Sequence, residues 1–453
     1  MRRVLIANRG EIACRIIRSC RVLGLETVAV HSDADAGALH VAMADASVAI
    51  GPSPPRESYL MQGAILSAAS AQRADAIHPG YGFLSENAGF ARAVQDAGLA
   101  WIGPAPATIE SMGDKERARA IACAAGVPVL PGSRRFAPGD IADLQSAAAA
   151  VAYPLLVKAA AGGGGIGMRR LDSPATLDEV VAATQSMAAR AFGDGTIYLE
   201  RYVPVARHIE IQVFGFGDGT AVHLFERDCS LQRRFQKVIE ESPAPGLPGP
   251  VRARMAEVAV RLCRDQRYAG AGTIEFIVDA GTFEFFFLEM NTRIQVEHPV
   301  TEMTTGIDLV AWQLQHAGGT LDAIGQDAIH ASGHAIECRL YAENPARNFL
   351  PSPGVLSTFA LPPASADVRI DTGFRQGDTI TPFYDPMIAK IICRGDTRMA
   401  ALDRMAEALS AVQVDGLRTN LAFLQQVIDH DAFRAGTVST TFIEDHRKAL
   451  APG

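Results

Sequence analysis

The chain has 453 residues, 48% hydrophobic and 20% charged, with a formal net charge of −8. At about 150 residues per domain, this length predicts roughly three domains or one multi-lobed enzyme whose cores need no disulfide staples. The apolar fraction excludes intrinsic disorder, and the acidic balance excludes a dedicated nucleic-acid binder but leaves room for a locally basic pocket that takes a small anion.

In chain order, residues 3–7 read as a short buried strand, and Ile12, Ile16, Ile17, Cys20 and Leu23 recur at helical spacing, so 11–23 reads as a helix ended by Gly24. Strands at 27–30, 75–77 and 100–102 alternate with helices, one of them starting at Glu86, which predicts a parallel, doubly wound sheet. From Pro128 to Tyr202 the texture changes. Strands at 154–158, 167–171 and 196–202 surround a glycine run and a helix from Pro174, as in a small separate lobe. From 207 the pattern is antiparallel: strands at 207–215, 220–226, 272–278 and 282–289, the last two joined at Asp279-Ala-Gly281. A final block of strands from Ser332 closes with a helix over 398–409.

The longest apolar tract, 147–157, is broken by Pro154 and is shorter than the ~18 residues of a membrane span, so no membrane association is expected. The apolar stretch 4–7 is too short for a secretory leader. The seven cysteines form no C-x-x-C pair and read as reduced, mostly buried thiols, which predicts a cytoplasmic protein.

Three segments carry chemistry. The run 162–167, Gly-Gly-Gly-Gly-Ile-Gly, follows Lys158 by four residues. It is either a flexible hairpin loop or a phosphate cradle of backbone N–H groups with an ammonium beside it. It matches neither a Walker loop nor a dinucleotide fingerprint, so no NAD site is expected in the N-terminal lobe. In 289–297, Glu289, Asn291, Arg293, Gln295 and Glu297 share one face wherever the chain is extended. After the apolar 285–288, burying five such groups requires pairing or a metal, and their oxygens suit a hard cation such as Mg²⁺, with Glu275 on the partner strand as a further ligand. The alternative is an exposed edge strand with salt bridges. In 226–237 a cluster of charges flanks Gln232; it is either a solvated loop or the lining of an anion site.

These segments, together with 6–13, 77–87, 112–115 and the run 289–303, make the chain resemble the biotin carboxylase component of biotin-dependent carboxylases. Within that group, 33–40 and 383–390 look most like the alpha subunits of acyl-CoA carboxylases such as 3-methylcrotonyl-CoA carboxylase. The resemblance implies an α/β and α+β protein with the ATP-grasp fold. Its parts would be a Rossmann-like N-terminal lobe over 1–113, an ATP-grasp body over 114–330 with a mobile glycine-loop lid at 130–203, and a C-terminal biotin carboxylase lobe over 331–447. The implied reaction is ATP-dependent carboxylation of biotin by bicarbonate through carboxyphosphate.

It also implies roles for residues. Lys115 and Lys158 would bind ATP phosphates, with Gly163, Gly164 and Gly165 closing over them. Glu200, Tyr202, Val203, His208 and Gln232 would surround the adenosine. Glu275, Glu289 and Asn291 would hold two Mg²⁺ or Mn²⁺ ions. Lys237, Arg293, Gln295 and Val296 would bind bicarbonate, with Glu297 as general base, and Arg339 would stabilise the biotin enolate. Arg9, Glu86 and His78 are expected to pair or cap locally, and His298 and Cys229 to be structural. No lysine lies between two methionines, so the biotin carboxyl carrier protein and the acyl-CoA carboxyltransferase are expected elsewhere, with the chain itself a homodimer. Two positions depart from the resemblance: Phe235 stands where histidine is usual, and Ile166 where arginine or lysine is. Both remove polar contacts to a nucleotide. Other ATP-grasp ligases, and an inactive homologue, are the competing readings.

Overall fold

The computed structural model describes residues 1–160 and 167–450. The predicted N-terminal alternation is present as a five-stranded parallel sheet in the order Ala46–Gly51, Glu26–Ser32, Arg3–Ile6, Ala76–His78, Ala100–Trp101. Period-two alternation divides the central strand between two cores. Val4 and Ile6 pack with Ile12, Ile16 and Ile17 of the helix Gly10–Val22, while Leu5 packs on the opposite face with Val28, Val30 and Phe90. Gly24, at φ +69°, closes that helix in a conformation that costs glycine least. The helix expected from Glu86 begins at Ala88, because the Asn87 side chain caps it by accepting from the Phe90 N–H. Glu86 is thereby left outside the helix.

The second sheet is antiparallel, with eight strands in the order Phe285–Asn291, Ala269–Asp279, Ala206–Phe216, Ala221–Arg233, Gln236–Ser242, His334–Tyr341, Met387–Gly395, Val368–Thr372. Three strands of the block after Ser332 therefore extend this sheet, while its remaining short strands pair among themselves in three two-stranded sheets. Its first strand pairs with Gln236–Ser242, Ile239 opposite Cys338 and Glu240 opposite Glu337, so the ladder runs through the middle of the molecule. Behind it the helix Arg398–Ser410 buries Ala401, Leu402, Met405 and Leu409 at helical spacing.

Among the bulges of this sheet, two set which side chains face the cavity. Glu275 faces Glu289 and Phe276 faces Phe287, so Leu288 is the extra residue. As a result Phe285, Phe287 and Met290 all enter one core while Glu289 and Asn291 turn to the other side. Similarly, Gln232 faces Lys237 and Leu231 faces Ile239, which leaves Val238 over. Lys237 and Glu240, three residues apart, thereby share a face.

The segment between the two sheets holds a three-stranded sheet, Met168–Leu171, Leu155–Ala159, Ile197–Arg201, with the helices Leu144–Val151 and Leu177–Phe192. It has a core of its own around Phe136, Val157, Val181 and Leu199. Of the glycine run, residues 162–166, with Gly163, Gly164, Gly165 and Ile166, lie outside the described residues. All seven cysteines are free and all but Cys123 are buried. Among the described residues no helix is long and apolar enough to cross a membrane.

Candidate active site

A cavity of about 840 Å³ opens where the N-terminal lobe, the small three-stranded lobe and the antiparallel sheet meet. Of the residues singled out from sequence, Lys115, Lys158, His208, Gln232, Lys237, Glu275, Glu289, Asn291, Arg293, Gln295, Val296, Glu297 and Arg339 all line it. Glu200 stands just behind, accepting from Lys158 Nζ at 2.7 Å. Tyr202 and Val203 are off the wall: Val203 is buried, and the Arg170 guanidinium lies over the Tyr202 ring at 4.6 Å.

Lys237 is the hub. Its ammonium donates to Glu210 at 2.6 Å and to Glu275 and Glu297 at 2.7 Å each. The other oxygen of Glu297 accepts from Arg339 at 2.9 Å. Glu275 also takes Asn291 Nδ2 and Gln295 Nε2 at 2.9 Å, and its second oxygen lies 2.8 Å from His208 Nε2. Gln232 Nε2 lies 2.7 Å from His208 Nδ1.

The extended face expected over 289–297 ends early. The strand stops at Asn291, and the chain bends into the helix His298–Thr305, whose first turn holds Pro299, a residue that cannot donate to a ladder. Convergence survives through side chains. Arg293 donates to Asn291 Oδ1 at 2.9 Å and Gln295 Oε1 at 2.6 Å, and Glu86 accepts from the Thr292 N–H and from Arg293 Nε. Glu86 therefore ties the bend to the N-terminal lobe. The 226–237 segment is not a solvated loop either. Glu226, Arg227, Asp228 and Arg233 are buried within strands, and the exposed residues are Arg234 and Phe235 of the turn and Gln236 beside it.

Burial raises the cost of charge for every group here, and the neighbours decide the outcome. Against that desolvation, Lys237, Arg339 and Arg227 hold the Glu297 carboxyl well below the usual carboxylate range. Glu275 is lowered likewise by Lys237 and His208. Burial and the neighbouring Glu275 instead push Glu289 up. A pair of facing carboxylates, one of them short of cationic partners, suits a divalent ion. His208, Glu210 and Glu275 also lie close enough to share an ion, but the Lys237 ammonium already bonds two of them.

His78 accepts from the Gly80 N–H, a local role, whereas Arg9 pairs with Asp35 at 2.6 Å and also lies over the ring of the distant Tyr384 at 4.2 Å. Burial holds the His298 imidazole well below its usual range and raises the Cys229 thiol well above its own, so both are poorly suited to proton transfer or thiolate chemistry. Sequence reasoning missed Glu210, although His208, Glu210 and Gln212 alternate on one strand. It also missed Glu240 and Lys390, which nothing local marks.

The family described as "Biotin carboxylase, N-terminal domain" matches residues 1–109, "Carbamoyl-phosphate synthase L chain, ATP binding domain" 114–324, and "Biotin carboxylase C-terminal domain" 337–445. The mitochondrial methylcrotonoyl-CoA carboxylase subunit alpha of Oryza sativa subsp. japonica is 50% identical over 448 residues, which are 99% of this chain and 61% of that one. The chain thus spans about three-fifths of the length of such relatives. Biotin carboxylase 1 of Bacillus subtilis (strain 168) is 46% identical, covering 98% of this chain and 99% of its own length. Among solved structures, the biotin carboxylase domain of Hydrogenobacter thermophilus 2-oxoglutarate carboxylase, a dimer with MgADP, ADP and bicarbonate, superposes with a TM-score of 0.91 at 40% identity, covering 100% of this chain and 99% of that one. The Campylobacter jejuni biotin carboxylase gives a TM-score of 0.91 at 41% identity, covering 98% and 99%. Two sheets meeting over a cavity, a Lys237 hub and full-length identity near one half agree on one assignment: this chain has the ATP-grasp fold and belongs to the biotin carboxylase family.

Proposed function

We propose that this chain carboxylates carrier-bound biotin with bicarbonate at the expense of ATP, giving carboxybiotin, ADP and phosphate, as the first half-reaction of an acyl-CoA carboxylase. The observation that carries this reading is the Glu297 carboxylate, pinned between Lys237 and Arg339 in a cavity whose other walls present Lys115 and Lys158. Phosphoryl transfer needs charge neutralisation and in-line positioning more than covalent chemistry. Lys115 and Lys158 supply the first, and Glu275, Glu289 and Asn291 fit two divalent ions that would neutralise phosphate oxygens. Bicarbonate becomes a nucleophile when it loses its proton, so a carboxylate must reach it. Beside Lys237 and Arg339, Glu297 is a weak base. A bound anion that draws Lys237 and Arg339 away from it raises its proton affinity where the proton must be taken.

The division at 113, 330 and 447, with a lid over 130–203, is proposed with this function, the lid keeping water from carboxyphosphate. So are a homodimeric state, a cytoplasmic location, and a biotin carrier and acyl-CoA carboxyltransferase outside these 453 residues, either as separate subunits or as further parts of a longer chain.

The test is phosphate release from MgATP. We expect stimulation by free biotin only when bicarbonate is present, and abolition by EDTA. Stimulation by an amino acid without biotin overturns the proposal. Phe235 is 70% exposed on the hairpin turn at the cavity rim and offers no polar contact. Phe235→His is expected to lower the ATP KM by about 2- to 10-fold, the range of one ordinary hydrogen bond. An ATP KM of the unaltered chain as low as that of the variant would refute this.

A further inference from the structure

Behind Arg339 lies a second pair of acids that the reaction described above does not use. Glu240 and Glu337 stand directly opposite each other on adjacent antiparallel strands. Directly opposed side chains share a face, with Cβ atoms about 5 Å apart. Both residues are fully buried. Neither carboxyl oxygen of Glu337 has a hydrogen-bond donor among the described residues. Glu240 has only an ion pair, Oε1 lying 2.7 Å from Arg339 Nη2. That same nitrogen donates to Glu297 Oε2 at 2.9 Å, so one guanidinium is shared by two carboxyls on different segments.

The surrounding charges are already engaged. Lys237 bonds three other carboxylates. Lys390, opposite Arg339 on the next strand, donates to the Val296 carbonyl at 2.7 Å and lies 3.2 Å from Glu11. On the helix His298–Thr305, which packs on both strands, Glu302 pairs with Arg15 and Arg369, and His298 is held neutral by burial. Two buried anions facing each other with half a guanidinium between them would be strongly destabilising. One proton between the two carboxyls removes the conflict and satisfies an orphaned oxygen on each.

We propose that Glu240 and Glu337 form a proton-sharing carboxyl pair that holds the Arg339 guanidinium in position beside Glu297, which makes them positioning residues for carboxyl transfer. Burial agrees, raising Glu240 to about 7 and Glu337 well above the usual carboxylate range. The remaining single negative charge of the pair balances the pull of Glu297 on Arg339. This role rests on the proposed part of Arg339 in the reaction; the shared proton does not.

The test uses Glu240→Gln, Glu337→Gln and the double variant of the whole chain. In either single variant an amide replaces the shared proton and one carboxylate keeps the charge. Biotin- and bicarbonate-dependent phosphate release is therefore expected within about threefold of the unaltered chain. The double variant has no charge left and is expected to lose about twentyfold or more in kcat with ATP KM little changed. Thermal unfolding gives an independent readout. A carboxyl whose folded-state proton affinity is raised contributes stability that is present at low pH and lost as pH rises through about 7. The unaltered chain should therefore lose Tm as pH rises from the ordinary carboxylate value of 4.5 to about 7, and the double variant should lose distinctly less. A melting profile in the double variant as steep as the parent's overturns the shared proton. A flattened profile with unchanged kcat overturns the positioning role alone. Absence of biotin stimulation in the unaltered chain overturns the proposed function and leaves the melting test standing.

Discussion

Glu297→Gln is expected to reduce bicarbonate-dependent phosphate release by about 10²- to 10⁴-fold, the range for loss of a positioned general base. The substitution keeps the shape of the side chain and removes its ability to accept a proton. The fold should survive it, because Lys237 keeps Glu210 and Glu275 and Arg339 keeps Glu240. ATP binding should survive as well, since Lys115 and Lys158 make no contact with Glu297. Phosphate release with biotin and bicarbonate, measured beside a nucleotide-binding assay, separates these effects. Release equal to that of the unaltered chain would remove Glu297 from the mechanism and favour an inactive homologue.

Lys237→Met carries the largest expected cost in stability. Glu210 and Glu297 are almost wholly buried, and Glu275 nearly so. One ammonium serves all three. Removing one partner of a buried, hydrogen-bonded charge set costs about 3–5 kcal/mol because the remaining charges stay desolvated. Arg227, bonded to Glu210 at 2.5 Å, and Arg339 limit the damage without reaching Glu275. The pH dependence follows from the same picture. Without Lys237 the carboxyls bind protons more tightly in the folded state, so the variant's stability is best retained at low pH and falls as pH rises. The gap to the parent should therefore narrow on acidification. Urea unfolding at two pH values measures it; a gap under about 0.5 kcal/mol at neutral pH would show that the three carboxyls do not depend on Lys237.

The parts of this molecule that could be read from sequence are those where local pattern and tertiary environment agree. The helix Gly10–Val22 and the buried strand Arg3–Ile6 announce themselves by periodicity. The hairpin of Ala269–Asp279 and Phe285–Asn291 is marked by Asp279, whose carboxylate accepts from the Gly281 and Thr282 N–H groups. That hairpin puts Glu275 and Glu289 on partner strands, and the bulge at Leu288 sets them opposite each other. Period-two alternation failed beyond Asn291, where the partner of the backbone is Glu86, some two hundred residues away. Alternation also cannot find Glu240, because the bulge at Val238 changes its phase. The single sheet running from Phe285–Asn291 to Val368–Thr372 was hidden for a similar reason. Strand partners separated by a hundred residues leave no mark in the local pattern, as with Ile239 and Cys338.

The bulge at Leu288 gives this part of the chain something like a reading frame. Leu288 is 40% exposed, and its side chain matters less than its being a surplus residue that the bulge takes out of the count. Changing its identity leaves the count intact. Losing it would remove the bulge and restore plain alternation, with Phe285, Phe287 and Met290 still on the core face and Glu289 and Asn291 still on the cavity side, whereas forcing Leu288 into regular pairing would turn Glu289 and Asn291 toward the phenylalanine core. The bulge is therefore slack in the strand: it takes up a one-residue difference in length just before the site, so that deletion of Leu288 spares the orientation of the wall.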